Sequence, residues 1–383
     1  MKPTPRHTNS LGELSVLYAS VLSRSVAAEG QNPGPLFERF GLSRQALATP
    51  DARISIPRFM RLGEAAIGLT GNPALGLTMG QLSRPVDAGI AGLAAQSAPT
   101  AGEALNTLIK FAMLTSHNSR GTPWMSDKGL IARFYSIRPY NVFNYFVVDS
   151  VLAAWTRFLR VVSGQHQVLE RVNIEYPSQG LEAEFEAWFG CPVRFGAAEN
   201  SIQLFTTVRD APSLQAQPGM FDLLTRQCER QLLKIRSHWT MGDRVKDRLA
   251  PLLQGDTPDL ATIADQLGIA PWTLQRQLKE ERTGFRELLD ETRQELASEY
   301  IRETRTSMSE IAWLLGFANP AAFHKAWKRW FGTSPAEHRK RYIREQKRQK
   351  AFFEPIALSH RPAQCHRRNL QTGWRSDLPD NQT

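Results

Sequence analysis

Apolar positions change their period along this chain, and the changes divide it. After Pro57 the residues Phe59, Leu62, Ala66 and Leu69 recur at steps of three and four, which places them on one face of an α-helix. Pro57 suits the first turn of that helix, and Gly71-Asn72-Pro73 ends it. The same period predicts helices over 11–28, 103–114 and 144–162, the first stopped by Gly30 and the Asn32-Pro33-Gly34-Pro35 cluster. Between and after them the period drops to two. The run 130–135 follows the turn signal Asp127-Lys128-Gly129, and Val172, Ile174 and Tyr176 alternate with Arg171, Asn173 and Glu175. Residues 191–195 and 202–205 are short and β-prone as well. A helix over 220–239, with Phe221, Leu224, Cys228, Leu232 and Ile235 on one face, closes the segment. The expected architecture is an α+β N-terminal domain over 1–239, followed by an all-α domain over 240–345.

From Met241 on the pattern is wholly helical, and one motif occurs twice, Leu260 to Glu281 and Met308 to Gly332. Each copy has a short apolar-periodic helix, a turn containing Gly, and a second helix with basic side chains. Thr257-Pro258-Asp259 reads as a helix start with a hydroxyl cap, and Asn319-Pro320 as another. Ser307 with Glu310, and Ser334 with Glu337, have capping-box spacing, whereas Ala270-Pro271 is a poorly capped start. In the first copy Ile263, Leu267, Leu274 and Leu278 are spaced to form the core between two crossing helices, and in the second Ile311, Leu315, Phe323, Trp327 and Phe331. That leaves Trp272, Thr273, Gln275, Arg276 and Lys279 outward in the first copy, and Ala321, His324, Lys325, Lys328 and Arg329 in the second.

These outward sets suit DNA. Arg makes bidentate bonds to guanine, Gln to adenine, and an exposed Trp gives apolar contact to a thymine methyl or a sugar. Lys279, Lys328, Arg329, Arg339 and Lys340 read as phosphate contacts, which give affinity and salt dependence without sequence preference. The segment Phe285 to Glu303 has no Gly or Pro and reads as one helix. At ~1.5 Å per residue it spans ~28 Å, against a repeat of ~34 Å between like groove faces. A rod of that length holds two helices on one side of a duplex, so one chain reads two successive turns without dimerising.

The 383 residues suffice for two or three domains, and 42% hydrophobic with 22% charged is ordinary for a soluble globular protein. Net charge is +10, and its placement matters more than its size: 319–350 holds ten Lys and Arg against two acids. The last stretch, 346–383, is basic, contains Pro and has little periodicity, and is expected to be mostly disordered. Cys191, Cys228 and Cys365 are isolated, which favours free thiols in a reducing, cytoplasmic compartment. The start resembles a weak secretory signal, but Glu13, Ser15, Tyr18, Ser20 and Arg24 interrupt it, so it reads as a helix. Asp149, Arg157 and Arg160 break the longest apolar run, so no membrane span is expected. There is no GxSxG, Walker-type loop, HExxH or paired Cys or His at metal spacing, so no enzyme activity, metal or cofactor is expected. His166, His238 and Cys365-His366 stand alone and read as satisfied or solvated side chains.

The C-terminal runs resemble a known family. IADQLG (Ile263 to Gly268), TLQRQL (Thr273 to Leu278), IAWLLGF (Ile311 to Phe317) and above all AFHKAWKRWFGTSPAEHR (Ala322 to Arg339) are similar to the DNA-binding domain of AraC-type bacterial transcription factors. That resemblance places base-reading residues at Trp272, Gln275 and Arg276, and at Ala321, His324 and Lys325. Relatives often carry Ser at the Ala270 position and a polar residue near Ala321. FERFGL (Phe37 to Leu42), RISIPRFMRLGEAA (Arg53 to Ala66), TGNPALGLTMG (Thr70 to Gly80) and CPVRFGAAENSIQLF (Cys191 to Phe205) resemble the arabinose-binding-like effector domain of one branch. That branch includes regulators of amino-acid use, such as ornithine utilisation, and of virulence. The resemblance implies a regulator that binds promoter DNA, responds to a small-molecule effector, and activates through RNA polymerase; a homodimer stays open. Phe111, Trp124 and Phe134 are candidates for an effector pocket wall, with core packing as the alternative. Two other readings remain at this level: a constitutive DNA-binding protein whose N-terminal domain only dimerises, and an enzyme tethered to DNA. RNA binding lacks support, since neither an RNP-like aromatic strand nor a GXXG loop is present.

Overall fold

The computed structural model describes residues 11–353 except 50–51, 127, 139, 142–143 and 238, with the side chains of 303 and 345–353 outside the description. His238, Cys365, His366 and the tail from 354 therefore lie outside the described residues, as does the extreme start of the chain. Residues up to Arg339 form one compact unit and those from Lys340 a second.

The helix Tyr145–Ser163 contributes to two hydrophobic clusters of the first unit, Phe146 and Val147 to one and Val148, Leu152, Phe158 and Leu159 to the other. Gly164, at φ 71°, ends it by donating to the Arg160 carbonyl. The helix Leu75–Leu82 lies against it with almost no gap. A Cβ on Gly76 would fall 2.5 Å from the Asp149 Cβ, and one on Gly80 2.2 Å from the Ala153 Cβ. The two glycines, one turn apart, are what allow the backbones to approach.

Two sheets flank these helices. The smaller has the order β2-β1-β3, all antiparallel, with β1 Gly12–Ser15, β2 Arg53–Ser55 and β3 Ser116–Asn118. The larger has the order β4-β5-β8-β6-β7, with β4 Trp124–Met125, β5 Ile131–Phe134, β6 Leu169–Asn173, β7 Val193–Arg194 and β8 Asn200–Leu204. Only its β6–β7 pair is parallel. Val172, Ile174 and Tyr176 are buried as their alternation predicts.

Several boundaries differ from expectation. The helix expected over 11–28 begins only at Val16, because the residues before it form the central strand β1, and Ser15 caps the helix. On the helix Ile56–Thr70, Phe59, Leu62 and Ala66 are buried, but Leu69 is 40% exposed, so the inward stripe ends one turn early. The helix of 103–114 runs Ala101–Lys110, capped by Thr100, and tightens into a 3₁₀ turn at Ala112–Leu114. The basic helix Pro335–Phe353 continues past 346, where disorder was expected, since nothing between 335 and 353 breaks it. Cys191 and Cys228 are free thiols, both pushed up to about 11 by burial.

The closing helix, Pro218–Ser237, buries Cys228 and Leu232 against Ala91, Ala94, Phe111 and Leu114. Polar contacts join the N-terminal half to the helices that follow. The Leu11 N–H donates to the Glu299 carboxylate, His117 meets Asp247 at 3.3 Å, and Arg138 meets Gln254 at 3.5 Å. Beside this joint, Glu175 takes a bidentate pair from Arg120 (2.7 and 2.8 Å) and a bond from Arg138 (2.5 Å). Burial pushes the Glu175 carboxyl up, but the Arg120 bonds and charge outweigh it and hold the group below its ordinary value.

Candidate functional site

The two helix pairs of the C-terminal half share one turn. Leu260–Gln266 leads to Pro271–Glu280, and Met308–Leu314 leads to Pro320–Phe331. Each first helix is followed by a glycine in the left-handed region, Gly268 at φ 67° and Gly316 at φ 65°. The next residue then donates back across the turn, Ile269 to the Ala264 carbonyl at 3.0 Å and Phe317 to the Ala312 carbonyl at 2.9 Å. This is a Schellman closure, which satisfies a late carbonyl and folds the following apolar residue onto the core. Both Ile269 and Phe317 pack there.

Between the paired helices, Ile263, Leu274 and Leu278 are buried in the first copy, and Ile311, Leu315, Phe323 and Trp327 in the second. Leu267 and Phe331 are half-buried against them. The opposite faces are open. Trp272 is 67% exposed, and Gln275, Arg276 and Lys279 are exposed beside it, while Thr273 is half-buried. Arg276 leans over the Trp272 ring, 5.9 Å from its centroid, and approaches Glu280 at 3.8 Å. In the second copy Ala321, His324, Lys325, Lys328 and Arg329 are all exposed. Arg329 pairs with Asp290 at 2.5 Å. Arg339 is half-buried and donates to the Ile301 carbonyl at 3.2 Å, and burial lowers its pKa; Lys340 is exposed.

Caps distinguish the copies. Asn319 accepts from the Ala322 N–H at 2.8 Å, whereas Ala270 supplies no side-chain cap. The capping boxes at Ser307–Glu310 and Ser334–Glu337 form as their spacing predicts. Thr257, however, is not the cap of the Leu260–Gln266 helix. Asp259 takes that role, accepting from the Thr262 N–H at 2.8 Å, because Thr257 is drawn away to the Gly316 carbonyl at 3.0 Å.

The helix Phe285–Glu303 joins the copies without a break, and two of its side chains hold the second one. Arg293 donates to the carbonyls of Leu315 and Gly316, each at 2.8 Å, and to Thr257 Oγ1 at 2.6 Å, with its guanidinium 4.7 Å from the Phe317 ring centroid. Burial lowers its pKa. Asp290, one turn earlier, accepts from Arg329 and from the Trp330 indole at 2.8 Å. Sequence reasoning overlooked this pair; the available signal was an acid and a base three apart on one face of a long helix. On the other side, Glu281 receives the N–H groups of Met241 and Gly242 at 2.6 and 2.9 Å, seating the helix Met241–Leu252 against the first copy.

The N-terminal half contains a cavity of about 160 Å³. Its wall is mainly apolar, with Phe59, Met79, Phe134, Val147, Trp155 and Phe158 among its members. Of the expected wall aromatics, Phe134 lines it; Phe111 is fully buried in the core, and Trp124 is 45% exposed, with Arg133 over its ring. Among the described residues there is no His, Cys, Asp and Glu group placed to hold a metal, and no helix is long and apolar enough to cross a membrane.

Comparison with known proteins agrees with this architecture. The arabinose-binding domain of AraC transcription regulators, N-terminal, matches residues 30–213, and a helix-turn-helix domain matches 263–341. The ornithine utilization regulator of Pseudomonas aeruginosa is 27% identical over 324 residues, covering 85% of this chain and 95% of that protein. The HTH-type transcriptional regulator VirS of Mycobacterium tuberculosis is 27% identical over 318 residues, covering 81% and 91%. Among solved structures, the transcriptional regulator CdpR from Pseudomonas aeruginosa aligns over 85% of this chain and 98% of its own at 23% identity, with a TM-score of 0.42. The chain belongs to the AraC-type transcription regulators, DNA-binding proteins that here combine an arabinose-binding-like N-terminal domain with two helix-turn-helix units.

Proposed function

We propose that this regulator reads two adjacent major grooves at once, placing the helix Pro271–Glu280 in one and Pro320–Phe331 in the next. The observation behind this reading is the repeat of one turn geometry at both ends of a single unbroken helix, with an open polar face on each copy. Trp272, Gln275 and Arg276, with Thr273 at their edge, read bases in the first groove, and Ala321, His324 and Lys325 in the second. Lys279, Lys328, Arg329, Arg339 and Lys340 meet phosphates. Arg329 must first leave Asp290, and Arg339 reaches a phosphate only through the exposed part of its guanidinium.

The test is fluorescence anisotropy of the full chain on DNA from upstream of its own gene, titrated with salt and scrambled competitor. Two half-sites one helical turn apart, ~10 bp, should bind tightly. Shifting one half-site by half a turn should abolish the gain from the second. Equal affinity for both spacings would mean that only one unit reads DNA.

The same reading assigns residues 1–239 to sensing a small molecule and 240–345 to DNA. The N-terminal cavity supports a sensing role, and the resemblance to AraC-type regulators supports activation by contact with RNA polymerase. Transcription in vitro from the chain's own upstream promoter, with and without the protein, fixes the sign. Self-association of the N-terminal domain, checked by sedimentation, belongs to the same proposal.

A further inference from the structure

The cavity of the N-terminal half has a wall on which many polar groups are already committed. Tyr18 and Thr115 bond each other at 2.9 Å, and the Ser150 hydroxyl donates to the Val147 carbonyl at 3.0 Å. Asp87, the only acid on the wall among the described residues, is bonded by Arg24 at 2.5 Å and by the backbone and side chain of Arg84 at 2.8 and 3.3 Å. Among the described residues the Ser116 hydroxyl and the Trp155 indole have no hydrogen bond, and two further groups bear most on a ligand. Ser136 is 1% exposed, yet its hydroxyl has no hydrogen-bond partner among the described residues. Arg157 is half-buried on the cavity side of the helix Tyr145–Ser163, and among the described residues no ion pair or hydrogen bond holds its guanidinium. The charge that bears on its neighbourhood is Arg160, of the same sign.

Such a wall selects its ligand by elimination. A volume of about 160 Å³ matches the cavity of ~150 Å³ that encloses one benzene ring, so the ligand body is small. The apolar lining requires a hydrocarbon body. A guanidinium stays charged at every accessible pH, and without a partner it favours an anion of planar, two-oxygen geometry. Cations find no free acid, because Asp87 already serves two arginines. This sets the site apart from any receptor for a diamino acid such as the ornithine in the name of one relative, whose two ammonium groups would each need a carboxylate.

We propose that this cavity binds a small monocarboxylic acid with a single-ring or branched aliphatic body, its carboxylate paired with Arg157 and bonded by the Ser136 hydroxyl. The proposal rests on the reading of the N-terminal domain as a sensor, and the fold supplies a route from this site to the DNA-binding half. Ser116 and Asn118 of β3 line the cavity, while His117 between them meets Asp247 of the helix Met241–Leu252. Successive side chains on a strand face opposite ways, so one short strand touches ligand with one face and the DNA-binding half with the other. Leu14 of β1 also lines the cavity, and Leu11, just before that strand, bonds Glu299 of the long helix.

The test uses the full chain and two matched pairs: phenylacetate with 2-phenylethanol, and 4-methylpentanoate with 4-methylpentanol, with ornithine alongside. Binding is measured by calorimetry and by thermal melting. Each acid should bind at least about ten-fold more tightly than its alcohol, as a charge-assisted bond predicts. Arg157→Gln should erase that difference, Ser136→Ala should weaken binding of the acids, and Ala154→Phe should block all four by bulk. Arg157 bonds nothing among the described residues, so its variant should melt like the wild type without ligand. Acids and alcohols binding alike, ornithine binding better than either, or acids unaffected by Arg157→Gln would overturn the proposal. Operator anisotropy separates it from the sensor reading. Acids that bind through Arg157 without changing operator affinity leave the site standing and sink the sensor role. An alcohol or ornithine that changes operator affinity where the acids do not leaves the sensor role standing and sinks the acid site.

Discussion

The two helix-turn-helix units close the same turn with the same hydrogen bonds, yet they are built to different standards. The second has an Asn cap, a core of fully buried Phe323 and Trp327, and a recognition helix tied through Arg329 and Trp330 to Asp290. The first has no side-chain cap on its second helix, an aliphatic core, and a largely exposed Trp beside an Arg whose only ionic contact among the described residues is a long one to Glu280. Both second helices contain tryptophan, but Trp327 is buried in the fold whereas Trp272 stands 67% exposed. The contrast suggests a division of work. On the proposed reading, the second unit is the anchor, held to the long helix through Asp290, and the first offers the more open surface for reading bases.

The largest effect should come from exchanging the two tryptophans' fates. Trp327→Ala empties the centre of the second unit and should cost about 3–5 kcal/mol of stability, read from denaturant midpoints. Trp272→Ala should leave stability within about 0.5 kcal/mol, because an exposed side chain loses few contacts on truncation. It should nonetheless weaken operator binding. If both variants lowered the midpoint alike, Trp272 would be part of the fold and the contrast would fail.

Next in size is Arg276→Ala, expected to cost about 1–3 kcal/mol on the cognate operator and to relax preference at one base pair. Competition with single-base operator variants measures it. A uniform loss on cognate and random DNA would move Arg276 to the phosphate group and make the first unit no more informative than the second. The caps give a smaller and reciprocal test. Asn319→Ala should destabilise by about 1 kcal/mol, whereas Ala270→Ser should stabilise by a similar or smaller amount. Only the second of these supplies something the protein lacks.

The sequence exposed these differences unevenly. The turns, the capping boxes, the long helix and nearly all core positions of both units follow local rules of spacing and capping, so they were readable from Ile263, Gly268, Ser307 and their neighbours. Trp272 and Trp327 were also separable, since their helical phases differ relative to Leu274 and Phe323. What escaped were contacts between distant segments. Thr257 has the look of a cap, but Arg293 and the Gly316 carbonyl capture its hydroxyl from segments far along the chain. The start of the chain has the period of a helix, but pairing with β2 and β3 on both sides makes Gly12–Ser15 a strand. Of the cavity wall only Phe134 was anticipated, for the same reason. Ser136 and Arg157 are unremarkable in sequence and gain meaning only from the wall they share.

The finest test concerns two adjacent cations on the second recognition helix. Lys328 and Arg329 are both exposed, and sequence alone treats them as equivalent phosphate contacts. The structure separates them, because Arg329 lies 2.5 Å from Asp290 and Lys328 has no such partner among the described residues. A cation already neutralised by a carboxylate displaces fewer counterions from DNA. Lys328→Ala should therefore lower the salt slope of binding by close to ~0.9 and weaken all sequences alike. Arg329→Ala should change the slope by less, and Asp290→Asn, which frees Arg329, should steepen it. The exposed pair itself is worth little to folding, roughly 0–1 kcal/mol, so these shifts in slope should appear with little change in melting temperature. Equal slopes for Lys328→Ala and Arg329→Ala would show that DNA pulls Arg329 off Asp290 without cost, and that the second unit is less firmly tied to the long helix than its contacts indicate.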